Sequence, residues 1–169
     1  VKTGILALGL CATLAAPPMG AQEAVFLIRH GEKQATGEDP GLTGAGQARA
    51  AAWAGMLASA GIDAVITTEA RRTRETGDIV AQALDVERTE VAVSDVTGVL
   101  DLLGFDYAED RVLVVGHAET IPSILSGLGV REAPEIGQEV FDTMFVVVPA
   151  SDGAPVLTHL HMPMQPTRP

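Results

Sequence analysis

The stretch AVFLIRHG, residues 24–31, sets an unbroken apolar run against an abrupt polar end. Ala24 to Ile28 is too short for a helix and apolar at every position, so it reads as a strand buried on both faces of a sheet. Arg29, His30 and Gly31 then stand where that strand ends. Asp63 to Thr67 and Val112 to Val115 repeat the pattern. Between these runs the period changes. Trp53, Met56, Leu57 and Ala60 recur at helical spacing with Gly61 as a stop, and Trp53 reads as core. Ile121, Ile124, Leu125 and Leu128 do the same, with Pro122 in the first turn and Gly129 after the last. Asp95 to Asp106 carries a less regular helical pattern. Strands alternating with helices predict an α/β domain, a three-layer α/β/α arrangement on a mainly parallel central sheet. Met144 to Val148 and Val156 to His161, separated by Pro149 to Pro155, are expected to pair as a hairpin at the sheet edge. Asp142, just before the first of them, reads as a turn residue.

The chain has 169 residues, 47% of them hydrophobic and 4% aromatic, so one ordinary domain must build its core from Val, Ile, Leu and Ala. Eleven Lys and Arg face 22 Asp and Glu, for a net charge of −11. That balance argues against nucleic acid or an anionic membrane as a main partner. Cys11 alone cannot make an intramolecular disulfide or a Cys-rich zinc site. Lys2, the apolar stretch Ile5 to Ala16 and the segment Pro17 to Ala21 have the layout of a secretory signal peptide over residues 1–21, with cleavage expected near Ala21. The expected location is therefore secreted, periplasmic, with membrane contact only through the transient leader. Residues 22–162 are expected to form the folded domain, roughly 140 residues and sufficient for a core. The proline-rich residues 163–169 are expected to fray.

In open α/β sheets, ligands bind outside the carboxyl ends of the parallel strands. His30 follows the first strand and His117 follows the strand from Val112 to Val115 through Gly116, so both stand at that mouth. On a helix starting near Ala70, Arg72 aligns with Thr76, Ile79 and Ala83, the face that must meet the sheet. Arg71 instead aligns with Glu75, Asp78 and Gln82, and Arg74 with Asp78 and Ala81. Arg72 is therefore the inward arginine. Arg29, Arg72, His30 and His117 make a small, donor-rich cationic pocket, and a phosphoryl group matches it because the planar guanidinium fork fits its oxygens. His159 and His161 share one strand face, but no third ligand accompanies them, so a solvated edge is the reading and no metal site is assigned.

Three segments in order carry a family resemblance. LIRHGE (27–32), TTEARRTRET (67–76) and VVGH (114–117) together resemble the histidine phosphatase superfamily, the phosphoglycerate-mutase-like fold, and within it the small secreted or phosphohistidine-phosphatase-like members. The resemblance implies a metal-independent phosphatase needing no cofactor, with His30 as the nucleophile that forms a phosphohistidine. A hydrogen bond from the other ring nitrogen to backbone would set its tautomer, and nearby arginines would keep it unprotonated. Arg29, Arg72 and His117 would bind the phosphoryl oxygens, and the helix starting near Thr120 would add its first amides.

The proton donor stays open. Larger members of the family supply a carboxylate from an insertion after the second arginine, whereas Leu84 to Asp95 offers only Asp85, Glu87, Glu90 and Asp95. Glu119 is the tentative general acid, with Glu32 and the absence of a dedicated acid as alternatives. An enzyme without one favours good leaving groups, such as phosphohistidine or acyl phosphates. The expected partner is a small phosphorylated substrate or a phosphohistidine protein. A non-catalytic phosphate-binding module and a phosphomutase are the alternatives in function. Substrate and oligomeric state are not legible in the residues.

Overall fold

In β1 (Ala24–Arg29), Val25 and Leu27 point into one apolar cluster and Ile28 into another, which places the strand between two layers. The computed structural model describes residues 23–150 and 153–163; the signal-peptide reading of residues 1–21, Cys11 included, and the tail beyond Pro163 lie outside the described residues. Six strands form one sheet in the order β3-β2-β4-β1-β5-β6. β2 (Ala64–Thr68), β3 (Glu87–Val91), β4 (Arg111–Gly116) and β1 run parallel. The expected hairpin forms at the edge, with β5 (Thr143–Val148) antiparallel to β1 and β6 (Val156–His161) antiparallel to β5. α1 (Gly44–Leu57) and α2 (Arg71–Leu84) cover one face; α3 (Val96–Asp101), a π-helical turn (Leu102–Asp106) and α4 (Ile121–Gly127) cover the other. The three-layer α/β/α reading holds. Among the described residues no helix is long and apolar enough to cross a membrane.

Local chemistry explains where these elements start. Thr43 caps α1 by accepting the Gly46 amide at 3.1 Å, and Asp95 caps α3 by accepting that of Gly98 at 2.8 Å. Trp53 is fully buried under α1, as expected.

Two expectations change, and one strand is added. Met56 is 44% exposed, because the buried line of α1 runs through Ala50, Trp53, Ala54 and Leu57 and leaves Met56 outside it. On α2 the buried side is Thr73, Thr76, Gly77, Val80 and Ala81, while Ile79 is half-buried and Ala83 exposed. The helix sits turned from the expected stripe because it approaches β2 through Gly77, where an added Cβ would lie 2.2 Å from Thr67 Cγ2. Strand β3 carried no apolar run, since its residues ERTEV lie at a sheet edge and none is buried.

Candidate active site

Strand register assembles the site. β1 and β4 are neighbours with Arg29 opposite Gly116, so the residues that follow, His30 and His117, emerge side by side. The His30 amide donates to the Gly116 carbonyl at 3.1 Å, and the Gly31 amide donates to Thr76 Oγ1 at 3.0 Å. Gly31 lies against the backbone of α1, where a Cβ would come within 2.6 Å of the Gly46 carbonyl oxygen. Glycine is required there by contact, not by a turn.

His30 Nδ1 lies 2.8 Å from the Gly31 carbonyl, which can only accept, so the proton is on Nδ1. Nε2 then carries the lone pair and accepts from Arg72 Nε at 3.2 Å. Arg72 Nη2 lies 3.3 Å from His117 Nδ1, and because arginine only donates, this nitrogen also carries a lone pair. His117 Nε2–H accordingly donates to Thr68 Oγ1 at 2.9 Å. The two rings are 5.3 Å apart, centroid to centroid, inclined at 64°. One edge of a guanidinium thus bridges the lone pairs of two neutral imidazoles.

Burial lowers the pKa of His30 to about 3, with the charges of Arg29 and Arg72 adding to the effect and the Gly31 carbonyl opposing it. His117 is lowered to about 4, again by burial first and by Arg72 second. Burial, more than the arginines, keeps His30 unprotonated. The unfolded chain binds protons on both rings below about pH 6.5, where the folded protein does not. Stability is therefore expected to fall as pH drops from about 6.5 toward 4, by up to about 1.4 kcal/mol per pH unit for each ring. Melting temperatures of the wild type and of His30→Gln between pH 7 and 4 check this; parallel slopes would contradict it.

Arg29 is placed differently from Arg72. Its Nη1 donates to the carbonyls of Gly137, Gln138 and Val140 at 3.2, 2.6 and 3.1 Å, and its Nη2 to Gln138 Oε1 at 3.3 Å. The guanidinium carbon sits 4.0 Å from the centre of the Phe141 ring. Nε is buried without a hydrogen-bond partner. Beside Arg29 a cleft of about 380 Å³ opens between Lys33, Gln34, Gln138, Glu139 and Phe141.

The carboxylates are ionised and engaged. Glu32 is locked against Arg49, with contacts of 2.5 to 3.0 Å, and its pKa is lowered: burial acts to raise it, but the Arg49 hydrogen bonds, a backbone amide and the charges of Arg49 and Arg29 together outweigh that. Glu119 accepts from Gln138 Nε2 at 2.8 Å, which holds its pKa below the ordinary value. The tentative acid of the sequence reading is thus a carboxylate in the substrate-free protein. Asp85 and Glu87 lie at the far end of the sheet from the histidines, Glu90 pairs with Arg88, and Asp95 caps α3. The helix-terminus expectation also changes, because the Thr120 and Ile121 amides both donate to the His117 carbonyl. His159 packs edge-on against Phe145, and His161 Nδ1 lies 3.2 Å from Thr143 Oγ1; both histidines are exposed.

A family description, histidine phosphatase superfamily (branch 1), matches residues 25–95, the segment that carries Arg29, His30 and Arg72. The chain is histidine-phosphatase-like. Solved structures extend the likeness in fold beyond that segment. A protein histidine phosphatase SixA complexed with tungstate is 19% identical with a TM-score of 0.68, over 82% of this chain and 96% of its own. A candidate phosphohistidine phosphatase SixA from Nakamurella multipartitia is 23% identical with a TM-score of 0.65, over 88% and 100%. A mycobacterial glucosyl-3-phosphoglycerate phosphatase in complex with VO3 is 13% identical with a TM-score of 0.59, over 74% and 90%. No curated protein matches by sequence. The neighbours show the fold, which is phosphoglycerate-mutase-like, and the histidine phosphatase match over residues 25–95 supports a phosphatase.

Thr68 and Thr73 lie within the segment TTEARRTRET, where residue type alone assigns them no role. Thr68 Oγ1 is 2.7 Å from Thr73 Oγ1, and Thr73 Oγ1 donates toward the Ala70 and Thr68 carbonyls at 2.7 and 2.9 Å. Both threonines are buried. The available signal was a hydroxyl at the end of β2, the strand next to the one that ends at His117.

Proposed function

We propose that the protein is an exported phosphatase that needs no metal ion and works through a phosphohistidine on His30. The observation that carries this is the Arg72 fork, whose Nε and Nη2 hold the free lone pairs of His30 and His117. In the first step His30 Nε2 attacks phosphorus in line, the P–N bond forms, and the bond to the leaving atom breaks with its electron pair. Arg72 exchanges the two ring nitrogens for phosphoryl oxygens and stabilises the charge in transfer, with His117 and Arg29 Nε as further contacts. In the second step water attacks phosphorus, the P–N pair returns to Nε2, and inorganic phosphate leaves. These residues supply the positive charge and donors that a metal ion supplies elsewhere.

The substrate class follows from the carboxylates. Glu119 and Glu32 are both held ionised, so a leaving group that departs without help is favoured: phosphohistidine or an acyl phosphate ahead of an alkyl phosphate. The SixA neighbours named for phosphohistidine agree with this choice. Export rests on the signal-peptide layout of residues 1–21.

Quenching into base, which preserves phosphohistidine, is expected to trap a labelled enzyme in the presence of EDTA. Turnover of phosphohistidine should exceed that of a simple alkyl phosphate by at least about 100-fold, the usual worth of a general acid. Glu119→Gln should leave phosphohistidine turnover within about threefold of wild type; a larger loss would restore Glu119 as the proton donor. A protein that binds phosphate and never becomes labelled is a binding module. Recovery from the cell envelope of a chain starting near Gln22 tests export, and an uncleaved cytosolic product refutes it.

A further inference from the structure

The proposed chemistry needs His117 to meet the phosphoryl group with a defined nitrogen, and nothing on its own strand or loop decides which. The decision lies on β2 and α2. Thr73 has one hydroxyl proton and two carbonyl acceptors for it, those of Ala70 and Thr68, at 2.7 and 2.9 Å. Its oxygen is therefore left to accept, and the proton it accepts, at 2.7 Å, is that of Thr68. Thr68 Oγ1 has then given away its proton and can only accept from His117 Nε2, at 2.9 Å. With the Thr73 proton on a carbonyl, every bond in this chain takes one direction. Arg72, from the other side, offers only donors to Nδ1.

Resting on the reading of function above, we propose that Thr68 is a positioning residue for catalysis: its hydroxyl, oriented by Thr73, accepts the His117 Nε2 proton and so presents Nδ1 to the phosphoryl group. The arrangement serves both protonation states of the ring. A protonated phosphoryl oxygen donates to the Nδ1 lone pair, and a bare oxygen accepts from Nδ1 once the ring has bound a second proton. Thr68 Oγ1 accepts from Nε2–H in either case, so the ring need not turn or change tautomer during the cycle. The same geometry places a proton between Nδ1 and the phosphoryl group without calling on Glu119. The other groups facing His117 are Arg72, Arg29, Glu119 and the His30 ring, and Thr120 Oγ1 accepts its backbone amide at 3.1 Å; the hydrogen bond of Nε2 is the one to Thr68.

Thr68→Val keeps the shape and removes the acceptor, and Thr68→Ser restores it. In ¹⁵N spectra of the histidine rings, wild type and Thr68→Ser are expected to show His117 protonated on Nε2. Thr68→Val should lose that signature, because a buried N–H without an acceptor is costly. With an aryl phosphate, kcat/KM should fall about 100-fold in Thr68→Val, the scale seen when the group orienting an essential histidine is removed, and recover to within about threefold in Thr68→Ser. A Thr68→Val protein that keeps the Nε2–H signature, or that stays within about threefold of wild-type kcat/KM, overturns the proposal. The ring spectrum reads the tautomer with or without turnover. A wild type that shows the signature and neither turns over nor becomes labelled overturns the phosphatase reading, and with it the catalytic part of this proposal.

Discussion

His30→Ala is expected to abolish both the phosphoenzyme and hydrolysis, with a loss of at least about 10⁴-fold in kcat, as when a covalent nucleophile is removed from an enzyme that acts through it. The expectation has a specific structural basis. His30 is 3% exposed, its Nδ1 proton is committed to the Gly31 carbonyl, and its pKa of about 3 leaves Nε2 unprotonated throughout the physiological range. Among the described residues no other ring nitrogen in the site is equivalent, because the lone pair of His117 is on Nδ1 and that ring is held from behind by Thr68. Phosphate binding should survive in part, since Arg72 and His117 remain. Rapid-quench labelling beside steady-state assay of purified protein is the check. Turnover by His30→Ala within about tenfold of wild type, with a folded protein, would remove His30 as the nucleophile.

Arg72→Ala is expected to cost about 10³-fold or more in kcat/KM, the range in which a single arginine stabilises phosphoryl transfer. Arg72→Lys should recover little. The lysine ammonium is a point charge, whereas the present geometry uses Nε and Nη2 together, 3.2 and 3.3 Å from two different rings. Arg29 is not positioned to substitute, because its terminal nitrogens already donate to the Gly137, Gln138 and Val140 carbonyls and the Gln138 side chain. Asp39 is near Arg72 Nη1 at 3.8 Å and accepts the Arg71 amide, so it holds the start of α2 and leaves the Nε edge free for the site. Kinetics of Ala and Lys variants, with phosphate affinity measured separately, divide transition-state stabilisation from ground-state binding. Near-wild-type kcat/KM in Arg72→Lys would show that charge alone suffices.

The strands that carry the site were legible because they are buried on both faces. A central strand in such a sheet cannot hide its composition, and Ala24 to Ile28 and Val112 to Val115 are apolar at nearly every position. The polar residue types that follow those runs then stand out, which is how Arg29, His30 and His117 were found. Edge elements have no such constraint. β3, with Glu87, Arg88 and Glu90, pairs through its backbone and exposes its side chains, so nothing in its hydrophobicity marks it. Arg72 was selected from three neighbouring arginines by helical period, although the helix is turned from the expected stripe; its place in the first turn was sufficient.

The roles were less legible than the residues. A carboxylate can be seen in a sequence, but whether it is an acid depends on what donates to it, and the partners of Glu119 and Glu32, Gln138 and Arg49, lie 19 and 17 residues away. The same holds for Arg29, whose nitrogens meet carbonyls more than 100 residues further on.

The sequence by itself determined the α/β class, every strand but β3 and the four residues at the mouth, because burial and period are properties of contiguous segments. The tertiary structure alone decided which nitrogen of each histidine is free, which carboxylates are ionised, and that Thr68 and Thr73 stand behind His117. Hydrogen bonds have direction, and their direction is set by partners that only the pairing of β2 with β4 and the packing of α2 bring within 3 Å.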